Sequence, residues 1–269
     1  MPHAFVLDLA ASAADASLEY PSQYAQGLFY SLLKAIDPAL SAAVHASKQR
    51  NPFTLWCQPV YQKQKLSGAR LRVTLLDDAL FQPLLQTMLH RSLEGLSLGQ
   101  SDFAIRRVLA TPEGDRDAGV TPWHDLAAMT RSGAGCEQLT FRFITPTVFT
   151  TSAPAGDRLY YPLPDPRLLL SSLLRVYQQF QPISLDEHRV CQLDEVFSHY
   201  LEVQALDIRS SRVQAGKTKL PGFRGTVTVR SCRTAPEVMR ALAALGQLAF
   251  YSGVGAKTAY GMGQVRIVV

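Results

Sequence analysis

Gly253-Val-Gly-Ala-Lys-Thr-Ala-Tyr-Gly-Met-Gly263 is the stretch from which the rest of the chain can be read. Two Gly-apolar-Gly triplets bracket the five residues Ala256 to Tyr260. Glycine loses more backbone entropy on folding than any other residue, so four of them in eleven positions mark a sharp turn or a close approach. A helical pattern precedes the loop, and an apolar strand, Gln264 to Val269, follows it. That order excludes a dinucleotide fingerprint, which needs GxGxxG between a strand and a helix; here Thr258 stands at the sixth position. It excludes a Walker P-loop too, because Ala256 precedes Lys257-Thr258 where glycine is required.

Working back from the loop, Thr234-Ala-Pro-Glu237 reads as a capping box opening a helix with Val238, Leu242, Leu245 and Leu248 on one face. Tyr200 to Val213 and Phe223 to Arg230 read as a long hairpin, Leu139 to Val148 as a strand, and Asp165 to Phe180 as a helix; Leu185 to Ser198 is open to a further helix. The first half repeats the order. A strand (Ala4 to Leu9) leads to a helix capped by Ser22, and Asp37-Pro38 starts a second helix that runs to about His45. Two strands (Phe53 to Tyr61, Ala69 to Leu76) joined near Ser67-Gly68, a helix (Ala79 to Leu93) and a strand (Phe103 to Leu109) complete it. Strand-helix-strand-strand-helix-strand, twice, predicts an α+β chain of two tandem ferredoxin-like (βαββαβ, RRM-like) domains, 1–115 and 136–269, with 116–135 as linker. The hairpins argue against one doubly wound sheet, since parallel strands need crossovers.

Lys and Arg number 27 against 22 Asp and Glu, and the excess sits in two tracts that hold no acid. Pro38 to Leu76 carries Lys48, Arg50, Lys63, Lys65, Arg70 and Arg72; Ile208 to Pro236 carries Arg209, Arg212, Lys217, Lys219, Arg224, Arg230 and Arg233. Such tracts suit a polyanionic partner and equally suit solvated faces. Cys57, Cys136, Cys191 and Cys232 form no CxxC pair and the N-terminus lacks a signal-peptide pattern, so a reduced, cytoplasmic setting is expected. No apolar run approaches the roughly 18 residues of a membrane span. The six histidines are dispersed without ligand spacing, so no metal or cofactor is expected.

Tandem ferredoxin-like domains ending in this glycine loop resemble the RAMP superfamily, and within it the CRISPR-repeat-processing endoribonucleases. Val44-His45-Ala-Ser-Lys-Gln-Arg-Asn-Pro52-Phe-Thr-Leu55 is similar to that family's histidine, basic stretch and following strand, and Phe143-Ile-Thr-Pro-Thr-Val-Phe149 to the start of its second domain. The resemblance implies a prokaryotic, metal-independent endoribonuclease acting on precursor CRISPR RNA, in which the 2′-hydroxyl attacks the adjacent phosphate. It implies His45 as base, with Tyr30 and Lys48 completing the catalytic set and Tyr24 and Arg50 as rivals. RNA binding falls to Arg50, to the hairpin residues Arg209, Arg212, Lys217, Lys219 and Arg224, and to the loop: Gly253, Gly255, Lys257, Thr258, Gly261 and Gly263. The loop amides are expected to meet phosphates as a nest does. Two other functions stay open: a non-catalytic RAMP subunit of an effector complex, and an RNA-binding protein sharing only the folds. Association with effector-complex proteins and homodimerisation are open too.

Overall fold

The structure, a computed structural model, describes residues 1–13, 17–19, 21–46, 49–91, 96–154, 156–181, 187–215 and 218–268. Its chain divides into two compact units: Met1–Val120 with Ala259–Gly261, and Thr121–Thr258 with Met262–Val269.

The first unit runs β1 (His3–Ala11), α1 (Pro21–Ile36), α2 (Pro38–Ala46), β2 (Phe53–Gln62), β3 (Lys65–Leu75), α3 (Phe81–Arg91), β4 (Leu96–Leu98), β5 (Ser101–Leu109) and β6 (Gly119–Val120). Its sheet has the order β2-β3-β1-β5-β4, with β6 against the start of β1. The neighbours are antiparallel, and β1, β2, β3 and β5 take the order of a split βαβ unit. Strand alternation turns Phe5, Leu7 and Leu9 to one side, where they join Leu28, Phe29, Leu32 and Leu33 of α1 in the core. Ala259 of the glycine loop belongs to the same core. Asp37 caps α2 as expected: its Oδ1 accepts from the Ala39 and Leu40 amides at 2.8 and 3.0 Å.

Two local expectations fail here. Ser22 lies inside α1, which begins at Pro21. The β2–β3 turn is at Lys63 and Gln64, with φ of 48° and 66°, while Gly68 sits within β3 opposite Ala10.

The sheet face away from α1 is covered by the segment between β5 and β6. Arg70 bonds the carboxylates of Asp115 and Asp117, the latter at 3.0 Å, and Arg72 Nε donates to the Asp117 carbonyl at 2.8 Å. Asp117 is 2% exposed and Arg72 5%. Two cations of the first acid-free tract are therefore held by a segment some 45 residues away, Arg70 by its carboxylates and Arg72 by a main-chain carbonyl.

The second unit runs α4 (Trp123–Ser132), β7 (Gln138–Thr147), β8 (Phe149–Ser152), β9 (Arg158–Tyr161), α5 (Pro166–Phe180), α6 (Glu187–His199), β10 (Leu201–Ala215), β11 (Thr218–Ser231), α7 (Pro236–Ser252) and β12 (Val265–Val268). The sheet order β10-β11-β7-β12 repeats that of the first unit, with β8 and β9 as a separate hairpin. Residues 116–135, read as linker, are built into the fold. They hold β6 and then α4, where Trp123, Leu126, Ala127 and Thr130 are buried at helical spacing. Asp165 caps α5, accepting from the Leu168 amide at 3.1 Å. The capping box on α7 is absent: Ala235 is the N-cap, without a side-chain bond, and Pro236 opens the helix. Among the described residues no helix is long and apolar enough to cross a membrane.

Candidate active site and glycine-rich loop

His45 stands exposed in the last turn of α2. Helix α1 supplies Tyr30, half-buried, whose ring meets the His45 ring edge-on, with centroids 5.0 Å apart and planes at 83°. Phe53, the first residue of β2, packs on the same tyrosine at 5.7 Å, so Tyr30 is held between core and surface. Burial lifts the Tyr30 hydroxyl above the usual tyrosine range, and the nearby Tyr260 phenol raises it further. At neutral pH Tyr30 is therefore a neutral O–H that can donate or accept.

Tyr260 is the residue that sequence reasoning missed. It lies in the Ala259–Gly261 piece that belongs to the first unit. Gly261 beside it is buried with φ of +80°, and a side chain there would collide with Ser22 in the first turn of α1. The signal was in the quoted loop: an aromatic hydroxyl flanked by a glycine that must be small. Tyr24, the rival to Tyr30, is engaged elsewhere, with its ring covering Gly99. Lys48 lies outside the described residues. Arg50 is half-buried on the segment leading into β2.

In the second unit the rest of the loop closes on itself. The Val254 amide donates to the Gly263 carbonyl at 2.8 Å, and the Gly263 amide to the Pro146 carbonyl at 3.0 Å. The Ala256 amide donates to Val148 at 2.8 Å and the Met262 amide to Lys257 at 3.3 Å. Thr258, expected at the RNA, is 5% exposed instead. A side chain on Gly253 would run into the Gly263 carbonyl oxygen and one on Gly263 into the Val254 carbonyl oxygen, with the Thr258 methyl close to both, and both have positive φ, which explains why these outer positions are glycine. Those two glycines are buried, and their amides are used inside the fold, against the nest reading; Gly255 is half-buried. Lys257 is half-buried at φ of +61°, the loop's remaining cation.

The hairpin residues divide by position. Arg209 on β10 is directly opposite Arg224 on β11, and both are exposed. Arg212 pairs with Pro221, and Lys219 with Gln214, nearer the tip; both are exposed. Lys217 lies outside the described residues. Among the described residues, no group of three or more His, Cys, Asp or Glu is placed to hold a metal ion.

The family model for the CRISPR Cas6 N-terminal domain matches residues 1–130, and that for the CRISPR-associated endoribonuclease Cas6 matches residues 141–265. A Cas6 (TTHB231) product complex superimposes with a TM-score of 0.91 and 43% identity over 100% of both chains. The chain belongs to the Cas6 family. Thermus thermophilus Cas6 (TTHB231) gives a TM-score of 0.77 at 40% identity, covering 100% of this chain and 98% of that one. A Cas6 (TTHA0078) product complex gives 0.81 at 32% identity, covering 100% and 99%. A CRISPR-associated endoribonuclease Cas6 from Mycobacterium tuberculosis is 29% identical over 161 residues, 59% of this chain and 48% of that protein. The chain thus spans about half the length of the curated relatives it matches. The Cas6 assignment carries the RAMP-type fold with it, two ferredoxin-like domains, as the strand orders independently show.

Proposed function

We propose that the chain is an endoribonuclease that binds CRISPR repeat RNA and cuts the precursor within each repeat, without a metal ion. The 2′-hydroxyl attacks the adjacent phosphorus, the bond to the 5′-oxygen breaks, and the products carry a 2′,3′-cyclic phosphate and a 5′-hydroxyl. The observation that carries this reading is the grouping of His45, Tyr30 and Tyr260 in the first unit. Support comes also from the full-length similarity to Cas6 product complexes.

In-line cleavage needs a base at the 2′-oxygen, an acid at the leaving oxygen and hydrogen bonds or charge for the crowded phosphorane. His45 is assigned as base: it is exposed, so a substrate can reach it, and imidazole works at neutral pH. Tyr30 and Tyr260 offer neutral hydroxyls, with Tyr30 orienting the imidazole by ring contact. Lys48 is assigned to the developing phosphorane charge. Binding is assigned to Arg50, Arg209, Arg212, Lys217, Lys219, Arg224 and Lys257, which give affinity without sequence information. The loop glycines serve by letting the loop close and by setting Tyr260 beside α1.

The test is single-turnover cleavage of a cognate repeat RNA in excess chelator, with a 2′-deoxy substitution at the cut as control. His45→Ala is expected to lower the rate by at least about 100-fold, as loss of a general base does. Tyr260→Phe is expected to lower it by a smaller factor. Cleavage of the deoxy RNA, or full activity in His45→Ala, overturns the mechanism. An intact RNA that is still bound by the wild-type chain would favour the non-catalytic RAMP subunit.

A further inference from the structure

Helix α2, which carries His45, is held to the first unit in two different ways. Its sequence is Pro-Ala-Leu-Ser-Ala-Ala-Val-His-Ala, yet its one buried residue is the serine, Ser41, 8% exposed. Leu40 and Val44, four residues apart, are partly buried against the core of the first unit, while Ala39, Ala42, Ala43 and Ala46 are exposed. A second stripe beside them, Ser41 and His45, has the same spacing, and side chains four apart lie on one face of a helix. Both members of this stripe meet the same residue of α1. The Ser41 hydroxyl donates to the Tyr30 carbonyl oxygen at 3.4 Å, and the His45 ring meets the Tyr30 ring.

A serine inside a helix ordinarily bonds back to a carbonyl of its own preceding turn. Ser31 on α1 does so, donating to the Leu28 carbonyl at 2.8 Å. Ser41 reaches across to the neighbouring helix instead. A carbonyl oxygen has two lone pairs, so the Tyr30 carbonyl can take this bond and keep its place in α1. A buried hydroxyl left without a partner is destabilising, which favours the arrangement in which α2 lies close against α1.

The near end of α2 is fixed. Asp37 closes α1, its amide donating to the Leu33 carbonyl at 2.8 Å, and its own carbonyl accepts from the Ser41 amide at 3.0 Å. At a rise of 1.5 Å per residue, Ser41 lies about 6 Å along α2 from Asp37 and His45 about 12 Å. A swing about Asp37 that moves Ser41 by roughly 0.5 Å therefore moves His45 by roughly 1 Å, a misplacement that can cost a catalytic group about 100-fold.

We propose that Ser41 is a positioning residue for the cleavage reaction. Its bond to the Tyr30 carbonyl sets how closely α2 approaches α1, and with it where the His45 imidazole stands against the Tyr30 ring. Ser41 acts through His45 and touches no substrate. The inference rests on the reading of His45 as the base.

The experiment compares wild type with Ser41→Ala, Ser31→Ala, His45→Ala and Ser41→Ala/His45→Ala, and thermal melting confirms that each is folded. Three quantities are read. The first is single-turnover cleavage of a cognate repeat RNA in excess chelator. The second is affinity for the same RNA blocked by 2′-deoxy at the cut. The third is the set of histidine ring signals in NMR spectra of the RNA-free chain, with those of His45 assigned by their loss in His45→Ala. Ser41→Ala is expected to cut roughly tenfold more slowly than wild type while binding the blocked RNA equally, the mark of a displaced catalytic group. The double variant cuts at the rate of His45→Ala, because both changes act at one group. The His45 signals, displaced in wild type by the Tyr30 ring, move towards those of a free histidine in Ser41→Ala and stay in place in Ser31→Ala. A wild-type rate in Ser41→Ala, an affinity lost in proportion to the rate, a further loss in the double variant, or an equal loss in Ser31→Ala overturns the proposal. If His45→Ala is slow and Ser41→Ala is not, only this inference fails. If wild type leaves the cognate RNA intact, or His45→Ala cuts at the wild-type rate, the functional reading fails, and the ring signals alone decide whether Ser41 places the imidazole.

Discussion

In the first unit, Arg70 and Arg72 lie on the sheet face away from the helices, and the segment after β5 brings Asp115 and Asp117 down onto them. In the second unit, the corresponding face carries Arg142, Arg230 and Arg266, and none of the residues on its inner strands is buried. Strand order and alternation are shared, so topology does not make the difference. A covering segment does: in the first unit Arg70 meets its acids from within the fold, whereas in the second Arg142 stands exposed. A buried cation with its acid is part of the fold, whereas an exposed row of cations raises the local concentration of anions.

The largest break in that comparison comes from Asp117→Ala. It strips Arg70 of a partner that is 2% exposed, leaving Asp115 as its carboxylate, which is expected to cost about 2 kcal/mol in denaturant unfolding of the first unit. The double variant Arg70→Ala/Asp117→Ala is expected to cost less than the sum of the two single changes, because both remove the same hydrogen-bonded pair. By contrast Arg142→Gln, on the open face, is expected to change stability by no more than about 0.5 kcal/mol. Equal losses in Asp117→Ala and Arg142→Gln would erase the distinction between a closed and an open face.

A smaller effect sharpens the comparison from the other side of the first sheet. His3 stacks on Phe81 at 3.8 Å and 6°, and its Nε2 is 2.8 Å from Asp78. Burial holds its pKa below the usual histidine value despite the raising influence of Asp78. The folded chain therefore takes up this proton less readily than the unfolded chain. The stability from neutral His3 is present above the unfolded value of 6.5 and is lost as pH falls from there through the depressed folded value. His3→Gln is expected to flatten the loss of stability between pH 7 and 5 as read by thermal melting. An unaltered slope would place the acid sensitivity elsewhere.

Much of this was legible in the sequence, because it follows from periodicity and local chemistry. Alternation in Ala4 to Leu9, the helical spacing of Leu28, Phe29, Leu32 and Leu33, and the Asp37-Pro38 start of α2 each name their element. The sequence also placed the Tyr30 and His45 pair, though by resemblance rather than by spacing. What escaped was long-range. The charge of Arg70 is met by the carboxylates of Asp115 and Asp117 beyond β5, and Arg72 is held by a backbone carbonyl there; no local composition reveals that. The Lys63-Gln64 turn uses positive φ without glycine, so the nearby Gly68 drew the reading instead. Thr258 looked like a ligand group in a flexible loop, and its burial follows from amide bonds that close only in three dimensions. Tyr260 was overlooked because its neighbours in the chain belong to a different unit from its neighbours in space.

That last division also sets an order of events during synthesis. Domains generally fold as units, the N-terminal one first as it leaves the ribosome. The first unit here contains Ala259, Tyr260 and Gly261, which are translated only after the whole of Thr121–Thr258. A nascent chain can therefore fold β1 to β6 and display His45 and Tyr30 long before the tyrosine of the loop exists. The three-residue thread acts as a timer, and the grouping of His45, Tyr30 and Tyr260 is finished only when the second unit has been made.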